Sequence, residues 1–203
     1  FKALQNFDVP ALDYLNVAFL VSAAGREPPG ARWQTVYSGA DGTVFRNRSA
    51  LPRVFAPSRV EAAASRPAAS LPRRGDWGER ALVAPSEWRG GTRPAAGANG
   101  SAAISRYRET ANTVRFHASV PPGAPALLAT SIVHDGGWMA RGRGTGVSLG
   151  RANGPFLALL LPPGEHDVAL RYTAPGFRLG ATISLVALLA FAVALAAGRR
   201  VHA

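Results

Sequence analysis

Leu179 to Ala197 contains no charged residue, and no other stretch constrains the chain as strongly. As a helix, its nineteen residues would extend roughly 28 Å, close to the ~30 Å hydrocarbon core of a bilayer. The pattern predicts a membrane-crossing helix over 177–198. Arg199 and Arg200 follow directly, and basic residues just beyond a span favour the cytoplasmic side. Residues 199–203 are therefore expected to be a cytoplasmic tail, with everything before Phe177 outside. Seven of the nineteen residues are alanine, and Ala190 with Ala194, like Ala192 with Ala196, places a small residue every four. Such spacing lets helices approach closely in lipid, so the span is expected to pack among other helices.

The preceding residues, 1–176, suffice for one domain with a buried core. Cysteine is absent, which excludes a disulfide framework and thiolate metal sites. The net charge of +11 is almost entirely arginine, with Lys2 the only lysine. The arginines are scattered, without a basic helix face or regular interleaving with aromatics, so nucleic acid is not an expected partner. A basic surface facing anionic lipid headgroups is the alternative use of that charge. Phe1 opens the chain without an export signal. The expectation is a piece of a longer protein, exported by an earlier transmembrane helix.

Along the chain, Leu12 to Val21 reads as a short helix turning into a buried strand at Ala18 to Val21. Trp33 to Tyr37 and Thr43 to Arg46 are β-branched and aromatic. Gly39, Ala40, Asp41 and Gly42 between them predict a hairpin closed by positive backbone angles. Leu51 to Ala56 is a short strand that Pro52 confines to an edge or to its own first residue. Asn47-Arg48-Ser49 and Asn99-Gly100-Ser101 match the glycosylation acceptor pattern at about the frequency of chance. Residues 61–72 and 90–101 have low complexity and no hydrophobic period, the marks of surface loops or flexible insertions. Arg80 to Ala84 makes one strand between them, with Trp77 and Trp88 covering the core's edge.

Thr113 to Val120 alternates, with Val114, Phe116, Ala118 and Val120 on one face and Arg115, His117 and Ser119 on the other. This is a half-buried antiparallel strand, with Ile104 to Arg108 its partner. Ala126 to Val133 and Phe156 to Leu161 are continuous apolar runs suited to central strands. Pro162 to Glu165 is expected to reverse the chain into a last hairpin strand ending at Tyr172. About nine short strands with turns between them predict a mainly β fold. The expected form is an antiparallel sandwich or jelly-roll-like extracytoplasmic domain followed by one C-terminal transmembrane helix.

Only two clusters suggest metal or acid–base chemistry, His134 with Asp135 and Glu165 with His166 and Asp167, and both are expected at turns. Neither has the spacing of a zinc site, and no nucleophile elbow is present. The run Gly142, Gly144, Gly146 and Gly150 lacks the lysine and the following helix of a phosphate loop. It reads as a flexible turn near the membrane. Trp138 could stack on a sugar ring, sit at headgroup level or pack into the core. No cofactor is expected.

Several separated blocks resemble the C-terminal part of the YfhO-like bacterial membrane proteins. They are Leu15-Asn16-Val17, Leu51 to Phe55, Asp76 to Val83, Asp135 with Trp138, Ala152 to Phe156, Leu161 to His166, and Tyr172 to Pro175 with Phe177 and Gly180. The chain departs from the family at His134, at Gly136 or Gly137, and at Arg143, where the family has tyrosine, proline and an acid. The resemblance implies the last part of a polytopic C-type glycosyltransferase that transfers sugar from a polyprenyl-phosphate carrier to a cell-envelope polymer. Its catalytic acid would lie upstream of this chain. Implied partners are the bilayer, the upstream membrane helices, and the carrier-linked sugar or an envelope glycan. Asp135, Trp138 and Asn153 are the candidate ligand-binding or membrane-interface residues. The different reading is a self-standing, tail-anchored glycan-binding module without catalysis.

Overall fold

Continuous apolar strands can be satisfied only where both faces of a sheet are covered, and the fold is built around two of them. The computed structural model describes residues 7–63, 76–88, 92–143 and 146–201. A short helix α1 (Ala11–Tyr14) is followed by β1 (Phe19–Ser22), β2 (Trp33–Gly39), β3 (Gly42–Asn47), β4 (Val54–Phe55), β5 (Arg59–Ala62), β6 (Arg80–Val83) and β7 (Gly97–Ala98). Then come β8 (Ala103–Thr110), β9 (Thr113–Val120), β10 (Ala126–Val133), β11 (Trp138–Arg143), β12 (Ser148–Ala152), β13 (Phe156–Leu161) and β14 (Gly164–Tyr172). The helix α2 (Phe177–Val201) closes the sequence of elements.

Two four-stranded sheets, ordered β12-β13-β10-β4 and β11-β14-β9-β8, form a sandwich. All their pairings are antiparallel. Val114, Phe116, Ala118, Val120, Val168 and Leu170 from one sheet meet Ala126, Leu128, Ile132, Leu157, Leu159 and Leu161 from the other. Burying each of the larger side chains is worth roughly 1.5–3 kcal/mol. The other face of β10 and β13 is covered too. Leu127, Ala158 and Leu160 pack against Val60, Ala81, Val83 and Trp88, while Ala129 and Phe156 pack against Tyr14, Phe55 and Trp77. The middle sheet therefore has no water-facing side along β13, all six of whose residues are buried. Trp88 lies directly over Gly150, where an added Cβ would come within 2.3 Å of the indole.

The seams are polar. Arg53, just before β4, forms a forked pair with Glu109 of β8 at 3.1 and 3.2 Å and also bonds Ser131, joining the two sheets at one edge. Arg151 of β12 pairs with Glu87 at 2.9 Å and donates to the His134 carbonyl. Tyr14 ties α1 to the middle sheet. Its ring packs edge-on to Phe156 with centroids 4.9 Å apart, and its hydroxyl donates to the Thr130 carbonyl at 2.7 Å.

Several expectations are corrected. The strand at Phe19–Ser22 exists, but Phe19 and Val21 are 58% and 73% exposed. It is an outer strand of the sheet β1-β3-β2, and its alternate residues face outward. The β2–β3 hairpin forms as expected, yet neither Ala40 nor Asp41 takes a positive φ. The expected loop 90–101 contains β7, paired with β5, and Asn99 brackets Leu127 by accepting from its amide and donating to its carbonyl. The pair β5–β6 is parallel. Most of 61–72 and the start of 90–101 lie outside the described residues, as does Gly144. The last hairpin does not form: β13 and β14 belong to opposite sheets. Pro162 and Pro163, which cannot donate to a ladder, carry the chain across the sandwich instead. Glu165, His166 and Asp167 are consequently on β14 and not at a turn. The glycine-rich turn lies at the far end from α2, because Trp138 opposes Tyr172 while Arg143 opposes Asp167.

Every described side chain of α2, through Ala192, is exposed. Among the described residues no helix is long and apolar enough to cross a membrane.

The Tyr14 hydroxyl is wholly buried and also accepts from Asn153 at 3.3 Å. Tyr14→Phe leaves a buried carbonyl and a buried amide without that partner. It should cost about 1–3 kcal/mol, read as a lowered midpoint in urea unfolding of the full chain in detergent.

Candidate functional site

The register of β11 and β14 builds the site. Trp138 stands directly opposite Tyr172, the last residue of β14 before the turn into α2. The two rings pair at 5.2 Å with 50° between their planes, a tilted geometry that suits the ring quadrupoles. The indole N–H donates to the Val133 carbonyl at 3.1 Å. Trp138 is partly buried and packs against the main core.

Asp135 joins this pair through the Tyr172 hydroxyl, which donates to its carboxylate at 2.5 Å. The Gly137 amide donates to the other carboxylate oxygen at 2.9 Å. The Tyr172 hydroxyl first, then the Gly137 amide, hold the Asp135 carboxyl below its ordinary range. The same contact raises the Tyr172 phenol, because removing its proton would leave it facing a carboxylate. Gly137 cannot carry a side chain here, since a Cβ would lie 2.5 Å from the Thr173 carbonyl oxygen and 2.6 Å from the Tyr172 ring. The cluster is thus a latch that fixes where the chain leaves the sheet. The amides of Tyr172 and Thr173 add bonds to Asn112 and Gly137.

Asn153 lies elsewhere. It is buried in the β12–β13 turn with φ 53°, followed by Gly154 at φ 89°, a left-handed pair that asparagine and glycine supply readily. Its side chain accepts from the Leu82 amide at 2.7 Å and donates to Tyr14. Asp135 and Trp138 are brought together; Asn153 belongs to the packing of a different layer.

Sequence patterning also left one cluster unassembled. On the outer face of β9 and β14, His117 contacts Asp167 at 2.9 Å through Nδ1 and Glu165 at 2.8 Å through Nε2. Ser119 donates to Glu165 at 2.5 Å. The alternation of Thr113 to Val120 puts His117 on a solvent face, but only the pairing of residues about fifty positions apart makes it a neighbour of Asp167. Asp167 first and Glu165 second raise the His117 pKa above its ordinary value. Ser119 and then His117 lower that of Glu165. No group of three or more metal-ligating side chains converges among the described residues. The arrangement is a hydrogen-bonded cluster of one imidazole, two carboxylates and one hydroxyl on the sheet surface.

The fold is an antiparallel β-sandwich from which one exposed helix leaves. Residues 99–184 match the family model described as bacterial membrane protein YfhO, so the chain is YfhO-like over the stretch from just before β8 into α2. No curated protein and no solved structure matches the chain.

The His117 cluster predicts a pH dependence of stability. A raised folded pKa stabilises fully below the unfolded value near 6.5 and is lost as pH rises through the folded value. The lowered Glu165 acts oppositely, contributing above the unfolded value near 4.5 and failing as pH falls. Melting temperature should therefore decline on the alkaline side of a plateau between those limits, and His117→Gln should flatten that decline. An identical alkaline slope in both proteins would remove His117 as its source.

Proposed function

We propose that the chain is the outer-face accessory domain and last membrane helix of a YfhO-like membrane glycosyltransferase. The parent would modify a cell-envelope polymer with a sugar carried on polyprenyl phosphate. In this reading the β domain faces the outside of the bacterial cytoplasmic membrane, α2 crosses it, and the C-terminus is cytoplasmic. The observation that carries the reading is α2 itself. Phe177, Leu179, Ile183, Leu185, Val186, Leu188, Leu189 and Phe191 are all 57% exposed or more. They occupy every side of the helix, and a helix apolar all round requires a surrounding apolar phase. The uncharged sequence continues to Ala197, and the family match runs from the strands into this helix without a break. Arg199 and Arg200 favour the cytoplasmic side for the end of the chain.

Within the parent, the domain would contribute shape and partner or acceptor binding, while upstream helices would pack against α2 and an upstream extracytoplasmic loop would supply the catalytic acid. The polar groups at the latch are already engaged with each other, which supports a positioning role for this end of the domain.

Two experiments test the proposal. Membranes containing the chain should retain it through alkaline carbonate washing, and release into the supernatant would overturn the spanning helix. Reconstituted alone with a polyprenyl-phosphate sugar, the chain should transfer nothing; transfer would place the chemistry here. Replacing Trp138 separates the accessory role from a self-standing glycan-binding module. Trp138→Ala should lower stability by about 1–3 kcal/mol, since it removes a partly buried aromatic pair. Unchanged melting with lost glycan retention would favour the binding module.

A further inference from the structure

Most of the arginines with described partners are held at seams. Arg32, Arg53, Arg80 and Arg151 each pair with one or more carboxylates that join different segments of the chain. The outer face of β11-β14-β9-β8 is different. Arg108, Arg115 and Arg171 are exposed there, and no ion pair involving them is found among the described residues. The register arranges them by distance from α2. Arg171 is one residue from Tyr172, opposite Thr113. Arg115 and Arg108 face each other two residues further on, about 7 Å away at 3.3 Å per residue. The carboxylates of this face, Glu165 and Asp167, lie at the end away from α2, against His117, and share that end with Arg106. The two nearer carboxylates are occupied, Asp135 by Tyr172 and Glu109 by Arg53 and Tyr107. Apolar side chains accompany the basic end: Met139 opposite Arg171, with Val133 and Phe177 at the same end, are 43%, 56% and 65% exposed.

From this segregation we infer that the helix-proximal end of the outer face of β11-β14-β9-β8 is a docking surface for anionic phospholipid headgroups. It rests on the reading of α2 as a membrane span. The polar layer outside the hydrocarbon is about 5–8 Å thick, and the surface potential of an anionic membrane acts over a Debye length of about 8 Å. Counted along the strands from the helix, Arg171 comes first, Arg115 and Arg108 next, and Asp167 and Glu165 last. Met139 and Val133 would meet the headgroup–acyl boundary beside the Trp138–Tyr172 pair, where amphipathic rings settle. The domain is then held in one orientation on the bilayer, with its acidic end outward.

The chain has no cysteine, so single labels are clean. A fluorophore at Ala111→Cys, in the β8–β9 turn, reports the basic end, and one at Ala103→Cys reports the opposite end. The full chain is reconstituted into vesicles of phosphatidylcholine alone, or with about a quarter phosphatidylglycerol, each carrying a headgroup-attached nitroxide quencher. Docking predicts quenching at Ala111 only in the anionic vesicles, little at Ala103, and loss of the effect in high salt. Each reversal among Arg108→Glu, Arg115→Glu and Arg171→Glu changes the charge by two and should weaken the docking equilibrium about thirtyfold. Equal quenching at Ala111 in both vesicles overturns the inference while leaving the span intact. Release of the chain by carbonate overturns the span, and the docking falls with it.

Discussion

A sheet with no wet face is what the domain depends on. β10 and β13 lie in the middle of three layers, so neither can turn a polar side chain to water, and their backbone groups must find partners within the sheet. The one polar side chain in β10 that is wholly buried, Thr130, meets that demand. Its hydroxyl donates to the Leu157 carbonyl at 2.7 Å and accepts from the Ile132 amide, where the β10–β13 register shifts. An unpaired backbone group at such a depth costs free energy comparable to a lost hydrogen bond, so the irregularity and the threonine belong together.

That layer order explains why elements distant in sequence converge. α1 contributes Tyr14 to one end of the middle sheet, and β5, β6 and Trp88 cover the other. The other four-stranded sheet, in contrast, is covered on one side only. Its inner face is core and its outer face is solvent-exposed. The helix leaves from one strand of this sheet, β14.

The strands themselves were largely legible. Thr113 to Val120 alternates in sequence and in burial, and the runs at 126–133 and 156–161 are the two doubly covered strands because only such strands tolerate unbroken apolar sequence. Connectivity was less legible. A proline–proline–glycine reversal after Leu161 has the chemistry of a hairpin, yet the next strand pairs in the other sheet, and no local signal distinguishes turning back from crossing over. Phe19 and Val21 are exposed for a related reason: hydrophobicity predicts a strand, while burial depends on whether another layer covers it. At the candidate site, Asp135 and Trp138 stand out as polar and aromatic residues near the helix, but nothing local links Tyr172 to them. Its bond to Asp135 spans thirty-seven positions and emerges only from the β11–β14 register. Asn153 carried the opposite ambiguity, since an asparagine before glycine suits a turn as well as a ligand, and the buried turn claims it.

The latch also bears on how force and orientation pass between domain and helix. Four residues separate Tyr172 from Phe177, including Pro175 and Gly176 at φ 81°, so the connection itself contributes little stiffness. Rigidity must come from the strand end, where the phenol, carboxylate, indole and two backbone amides are all bonded within the domain. A short linker leaving a fixed point restricts the domain to a narrow zone above the helix but leaves its rotation undetermined. Something on the surface has to select one rotation, and uneven charge on an otherwise regular sheet face is a physical means of doing so.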